Sequence, residues 1–141
     1  TLENYISFQQ LIYPGRFEYI SVVDPQIDPV RQTIPPMLLQ PFVENAIRHG
    51  LLPKKGKGTL EIHITPAPGK GIRVEISDDG IGMEEAGNAI RKSPFRFVSR
   101  GRELTLKRIR LMNETGYHIR INTSSSAFGT KITLQINHNG K

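Results

Sequence analysis

The chain has no cysteine, which removes both a disulfide framework and a thiolate zinc site from consideration. Its four histidines, His49, His63, His118 and His138, show no H-x-x-x-H spacing, so a metal cage built on histidine is not expected. Long apolar runs are also lacking. Prolines and charges interrupt every such stretch well short of the roughly 20 residues a membrane-spanning helix needs, nothing resembles a signal peptide, and a soluble chain is expected. There is no internal repeat and no low-complexity tract, and the phosphate-cradling GxxxxGK[ST] is absent. Acidic residues are in deficit, 13 Asp and Glu against 19 Lys and Arg, for a net charge of +6. Such a balance raises nucleic acid or an acidic membrane as a partner. The basic residues are scattered, however, and not set among stacking aromatics. The two denser patches, "PKKGKG" at 53–58 and "RKSPFRFVSRGR" at 91–102, read as loops, which are solvated surface or the border of a phosphate site.

What is present fits one domain, since 141 residues suffice to bury a core without staples. Residues 1–13 carry Leu2, Tyr5, Ile6, Phe8 and Ile12 at helical spacing, and Pro14-Gly15 ends the pattern. "FEYISVVD" (17–24) has strand composition. In "LEIHIT", "GIRVEISD", "YHIRIN" and "TKITLQI" apolar and polar residues alternate, the mark of a sheet with one buried and one wet face. Its dry side would hold Leu60, Ile62, Ile64, Ile72, Val74, Ile76, Ile119, Ile121, Ile132, Leu134 and Ile136. His63 and His118 fall on the wet side, and His138, in the terminal "NHNGK", is expected to fray. Helices over 34–49 and 103–115 would cover the dry face, giving an α/β two-layer sandwich with helices on one side of a mixed, mostly antiparallel sheet.

Two stretches carry candidate chemistry. "PPMLLQPFVENAIRHG" (35–50) is an apolar helix, its first turn suited to Pro35 and Pro36, that ends in Glu44, Asn45, Arg48 and His49. Asn45, Arg48 and His49 would share a face, and an Asn turned toward an apolar layer needs a hydrogen-bond partner. The plainer readings are an Asn tying down a loop and an ordinary Glu44–Arg48 pair contributing about 0.2–0.5 kcal/mol. The second stretch, "ISDDGIGMEEAG" (76–87), runs from a strand into Asp78, Gly80 and Gly82. The glycines permit close backbone approach, and a carboxylate at a strand end can read an exocyclic amine. Alone, Asp-Gly is also a common turn.

Taken together, with "GTKITLQI" downstream, these stretches resemble the nucleotide-binding domain shared by sensor histidine kinases, gyrase-type topoisomerases, Hsp90 chaperones and MutL repair proteins, the Bergerat-type ATP-binding fold. "IPPMLLQPFVENAIRHGL" is similar to the asparagine box of LytS-like sensor histidine kinases, and the resemblance covers nearly the whole chain. It implies ATP and Mg²⁺ as ligands. Asn45 would bind the metal, an oxygen ligand for a hard cation. Arg48 and His49 would lie beside the phosphates and ribose. Glu44 would organise the metal's water shell or the reaction, so Glu44 and Arg48 are the catalytic candidates. Asp78 would read the adenine amine, with Gly80, Gly82 and Met83 shaping the base site and Thr130 near the base, often through water. Gly101 and Leu104 match the second glycine box.

That box also departs from the family. It reads "SRGRELTLKRIRLMN", with Glu103 where a second small residue is expected, and Arg102, Lys107 and Arg108 able to compensate the charge. Asp79 stands where many relatives have Asn. Residues of about 84–102 resemble the mobile lid over the nucleotide, and the anion site would be the N-terminus of a helix starting near Glu103. The family's phosphoacceptor motif, similar to P-H-F-L-F-N, is absent from the sequence. By the resemblance, 1–15 is the end of a dimerisation helix and 16–141 the catalytic and ATP-binding domain of a membrane-anchored receptor, facing the cytoplasm. Its expected partners are the upstream dimerisation and phosphoacceptor helices of a homodimer and a response regulator, and no nucleic acid. Two alternatives stay open: a degenerate relative that binds nucleotide poorly and signals by conformation, and a basic nucleic-acid-binding module.

Overall fold

The structure, a computed structural model, describes residues 2–28, 34, 38–82 and 98–138, with residues 98–103 described by their backbone alone. Helix α1 (Leu2–Ile12) closes at Gly15, whose φ of 73° suits the residue that ends it. It folds back on strand β1 (Phe17–Val23) by burying Ile6 completely. The Tyr19 hydroxyl donates to Glu3 at 2.8 Å across this contact.

Strands β2 (Gly58–Ala67), β3 (Gly71–Asp78), β4 (Tyr117–Ser126) and β5 (Gly129–His138) join β1 in one sheet of order β1-β2-β3-β5-β4. Only β1 and β2 run parallel, and the intervening crossover carries the helical cover such a connection requires. The alternation sets the register. Ile62 pairs Ile76, which pairs Ile132, and Ile64, Val74, Leu134 and Ile121 form the next row. These side chains are buried or half-buried on one face, and truncating one as fully enclosed as Leu134 to Ala should cost about 2–5 kcal/mol. His63 and His118 occupy the opposite face. His138 does not fray: it is the last residue of β5, and its ring meets Tyr117 edge-on at 4.4 Å.

The covering helices differ from expectation at their starts. Ile34 is not helical, and residues 35–37 lie outside the described residues. Helix α2 spans Gln40–Asn45 and continues without a break into a π-helical turn, Ala46–Leu51. Pro41 explains the late start, because inside a longer helix its ring would strike the carbonyl four residues back, whereas in the first turn it is tolerated. Helix α3 runs Val98–Glu114, starting five residues before Glu103. Good helix formers flank Gly101, which costs only about 1 kcal/mol inside a helix. Of the expected lid, 84–97 lies outside the described residues, and 98–102 is helical. Thr105, Ile109 and Met112 form the inward stripe of α3, the i, i+4, i+7 spacing of an amphipathic helix.

Candidate functional site

The end of the dry face is polar. Asp78 follows Ile72, Val74 and Ile76 in the alternation and so points to the covered side, where it is only 9% exposed. Three glycines allow this. A Cβ on Gly50 would lie 2.6 Å from Asp78 Oδ1, one on Gly80 would lie 2.2 Å from the Gly50 backbone, and one on Gly129 (φ 137°) would lie 2.0 Å from the Asp78 carbonyl oxygen. The π turn thus brings bare backbone against the carboxylate, while the glycine after β3 packs on the Gly50 backbone and the one opening β5 packs on the Asp78 main chain. Gly80 N–H donates to Asp78 Oδ1 at 2.9 Å, and Ile81 N–H donates to the Gly50 carbonyl at 3.2 Å. Burial is the main influence on Asp78 and pushes its carboxyl up to about 6. The Gly80 N–H opposes the rise, the Asp79 charge adds to it, and Lys54 and the Thr130 backbone oppose it.

The helix leading to Gly50 has a four-residue rhythm. Phe42 and Val43, Ala46 and Ile47, then Gly50 and Leu51 are buried, while Glu44 and Asn45, then Arg48 and His49, face outward. A stripe repeating every fourth residue drifts round an α-helix of about 3.6 residues per turn. The wider π turn, closed by the five-residue bond from Leu52 N–H to Ile47 O at 2.9 Å, corrects that drift and keeps the four polar residues in one row. Asn45 and Arg48 are exposed, and Glu44 and His49 are half-buried. Asn45 is thus not turned into the apolar layer, as its spacing from Phe42 had implied. Glu44 accepts from Gln40 Nε2 at 3.1 Å, and among the described residues it forms no ion pair with Arg48. Burial, then the adjacent Arg48 charge, lowers the pKa of His49. Tyr5 of α1 lies in electrostatic reach of this row: burial chiefly, then Glu44, raises its hydroxyl pKa, and Arg48 opposes.

Asp78, Gly80, Gly82 and Thr130 come together. Thr130 is the direct ladder partner of Asp78, and Gly82 (φ 81°) sits where a Cβ would be 2.0 Å from the Ser126 carbonyl oxygen. Asn45, Arg48 and His49 run back along the helix from Gly50, which abuts Asp78. Met83 lies outside the described residues. Leu104 is 58% exposed on α3 and does not join the cluster. Gly101 lies in the first turn of α3, so the unpaired N–H groups of that helix start belong to residues 98–101 and not to residues after Glu103.

Sequence reasoning passed over Gly50 and Gly129, although both stood inside quoted motifs, "RHG" and "FGT". Their need to be glycine comes from contacts distant in sequence. It also passed over the work of Asp79. This residue accepts from Thr59 N–H at 2.7 Å and pairs with Lys54 at 3.4 Å, while Arg16 donates to the carbonyls of Leu52 and Lys54. The 52–59 loop is thereby tied to the turn after Asp78.

Residues 33–140 match the family described as histidine kinase-, DNA gyrase B-, and HSP90-like ATPase. The chain is 34% identical over 83 residues to sensor histidine kinase YpdA of Escherichia coli (strain K12), covering 59% of the chain. It is 33% identical over 82 residues to sensor histidine kinase/phosphatase LytS of Staphylococcus aureus (strain Mu50 / ATCC 700699), covering 57% of the chain. Each match spans 14% of the relative's length. Among solved structures, the catalytic domain of histidine kinase ThkA is similar with a TM-score of 0.60 at 20% identity, over 96% of this chain and 89% of that one.

Proposed function

The chain belongs to the histidine kinase-, DNA gyrase B-, and HSP90-like ATPase family, and from that premise we propose that it is the nucleotide-binding and catalytic part of a two-component sensor kinase, handing the γ-phosphoryl group of MgATP to a histidine on a dimerisation helix. The single observation that carries this reading is the buried Asp78 carboxylate. It lies at the end of a sheet, packed against the bare backbone of Gly50 and bonded by the Gly80 N–H, and its residue faces a threonine across the ladder.

Asp78 accepts the exocyclic amine of adenine, and Thr130 stands beside the base. Gly80 and Gly82 keep the floor of the site free of side chains. The polar row on the helix serves the other end of the nucleotide: Arg48 and His49 beside the phosphates and sugar, Asn45 toward the cation, and Glu44 toward the reacting end. Among the described residues no group of three metal-ligating side chains gathers. Mg²⁺ fits that setting, because it is commonly held by one or two protein oxygens with phosphates and water completing the shell, and Asn45 offers such an oxygen on an exposed surface. Bound Mg²⁺ supplies charge neutralisation at the phosphates. The side chains then contribute positioning and electrostatics. Met83, Gly101 and the 84–102 lid complete the site in this reading, and Leu104 follows from the family pattern alone. Residues 1–15 are the end of the dimerisation region, and a homodimeric, membrane-anchored receptor with a response regulator is the proposed context. Among the described residues no helix is long and apolar enough to cross a membrane.

The test is phosphorylation of the 141-residue chain with MgATP, alone and with a fragment carrying the upstream helices. No acid-labile label is expected on the chain alone, since His49 is tied to the nucleotide side of the proposed site, His63 and His118 project from the far face of the sheet and His138 packs on Tyr117. Label should appear on the added helices. Robust labelling of the chain alone, abolished by changing one of its own histidines, would overturn the assignment.

A further inference from the structure

On the covered face the apolar rows stop at one rung of the sheet, where Leu60, Asp78, Thr130 and Ser125 stand side by side on β2, β3, β5 and β4. Ser125 has no part in the assignments above. Its Oγ lies 3.0 Å from Thr130 Oγ1, a contact in which either hydroxyl can donate, and 3.4 Å from the Gly129 carbonyl oxygen, to which it can donate instead. The turn after Asp78 closes against the same place, because a Cβ on Gly82 would lie 3.3 Å from Ser125 Oγ. Carboxylate, threonine and serine thus border one site.

A hydroxyl has one proton to give and two lone pairs to receive with. O–H···O bonds fall at about 2.5–3.0 Å, so of these two oxygens Thr130 is the better acceptor for the Ser125 proton. A Thr130 that receives from Ser125 keeps its own proton for an acceptor in the site. The pairing edge of adenine presents a donor, the exocyclic amine, beside an acceptor, the ring nitrogen N1. A carboxylate next to a hydroxyl donor is the complement of that edge. Guanine presents the reverse, a carbonyl oxygen beside an N–H, and would set its oxygen against the Asp78 charge.

We propose that Ser125 is a positioning residue for nucleobase recognition, donating to Thr130 and so making the Thr130 hydroxyl a donor toward the base's ring nitrogen, directly or through one water. This rests on the adenine-nucleotide reading of the Asp78 site. It assigns to the β4–β5 rung a part in selecting adenine over guanine.

The test measures affinities for ATP and for 1-deaza-ATP, in which a C–H replaces the ring nitrogen, using the wild-type chain, Ser125→Ala, Ser125→Thr and Asp78→Asn. Ser125→Ala should weaken ATP about three- to tenfold, the worth of one hydrogen bond, and weaken 1-deaza-ATP less than about twofold. Ser125→Thr, which keeps the hydroxyl and suits a strand, should restore ATP affinity. Equal loss for both nucleotides, or no loss for either, would overturn the Ser125 assignment while leaving Asp78 in place. Unchanged ATP affinity in Asp78→Asn would overturn the proposed function and this inference with it.

Discussion

Replacing Asp78 by Asn should strengthen the fold at alkaline pH while removing the ligand site. Burial raises the carboxyl from 3.8 to about 6, so holding it ionised in the folded chain costs about 3 kcal/mol, at about 1.4 kcal/mol per unit. The sign follows from linkage: the folded chain binds this proton more tightly than the unfolded chain, so the contribution is fully favourable below 3.8 and is lost as pH rises through about 6. Asn carries no charge at any pH. Its Oδ1 still accepts from Gly80 N–H, although its amide faces the Thr130 backbone less well than a carboxylate does. Urea unfolding without nucleotide should therefore show Asp78→Asn more stable than wild type by about 1–3 kcal/mol at pH 8, with the gap closing toward pH 4. The same variant should lose at least about tenfold in ATP affinity, for one charge-assisted hydrogen bond of about 1.5–3 kcal/mol. A variant that is clearly less stable at pH 8, and binds ATP as well as wild type, would refute the reasoning by showing that the carboxylate serves the fold.

In the proposed site only ionised Asp78 accepts the amine, so ATP affinity of the wild type, followed by calorimetry, should fall about tenfold per pH unit below about 6; a flat profile from pH 8 to 5 would count against that assignment. Asn45→Ala should weaken MgATP far more than metal-free ATP and leave the helix intact, Ala being the better helix former; equal losses would mean that Asn45 has no dealings with the cation. Gly129→Ala should destabilise by about 3 kcal/mol or more in thermal or urea unfolding, through a strained φ and a backbone collision. Asp79→Asn should keep stability within about 0.5 kcal/mol, since its oxygen still accepts from Thr59 N–H, whereas Asp79→Ala should cost about 1 kcal/mol.

The strands were legible in the sequence because alternation is a local signal: "GIRVEISD" coincides with β3, and its parity alone carries Asp78 to the covered face. The polar residues of the helix were legible by type but not by placement. Spacing from Phe42 alone puts Asn45 near the apolar stripe, whereas the buried pairs Phe42–Val43 and Ala46–Ile47 centre that stripe so that Glu44 and Asn45 face outward from α2, and the π turn that follows keeps Arg48 and His49 in line with them. Helix starts were least legible. Pro35-Pro36 looks like a first turn, yet Pro41 forbids a helix running through it, and Gly101 looks like a boundary although strong helix formers on both sides override it. Gly50, Gly129 and Ser125 could not be found from spacing, since what constrains each is a strand or turn far away in the chain.

The most direct measurement is a titration of the folded 141-residue chain with a fluorescent ATP analogue, with and without Mg²⁺, run beside Asp78→Asn and beside duplex DNA. Saturable binding that Mg²⁺ strengthens, that Asp78→Asn abolishes and that DNA does not compete away is the predicted result. A folded wild-type chain that takes up no nucleotide, or takes it up equally well without the Asp78 carboxylate, would contradict the account.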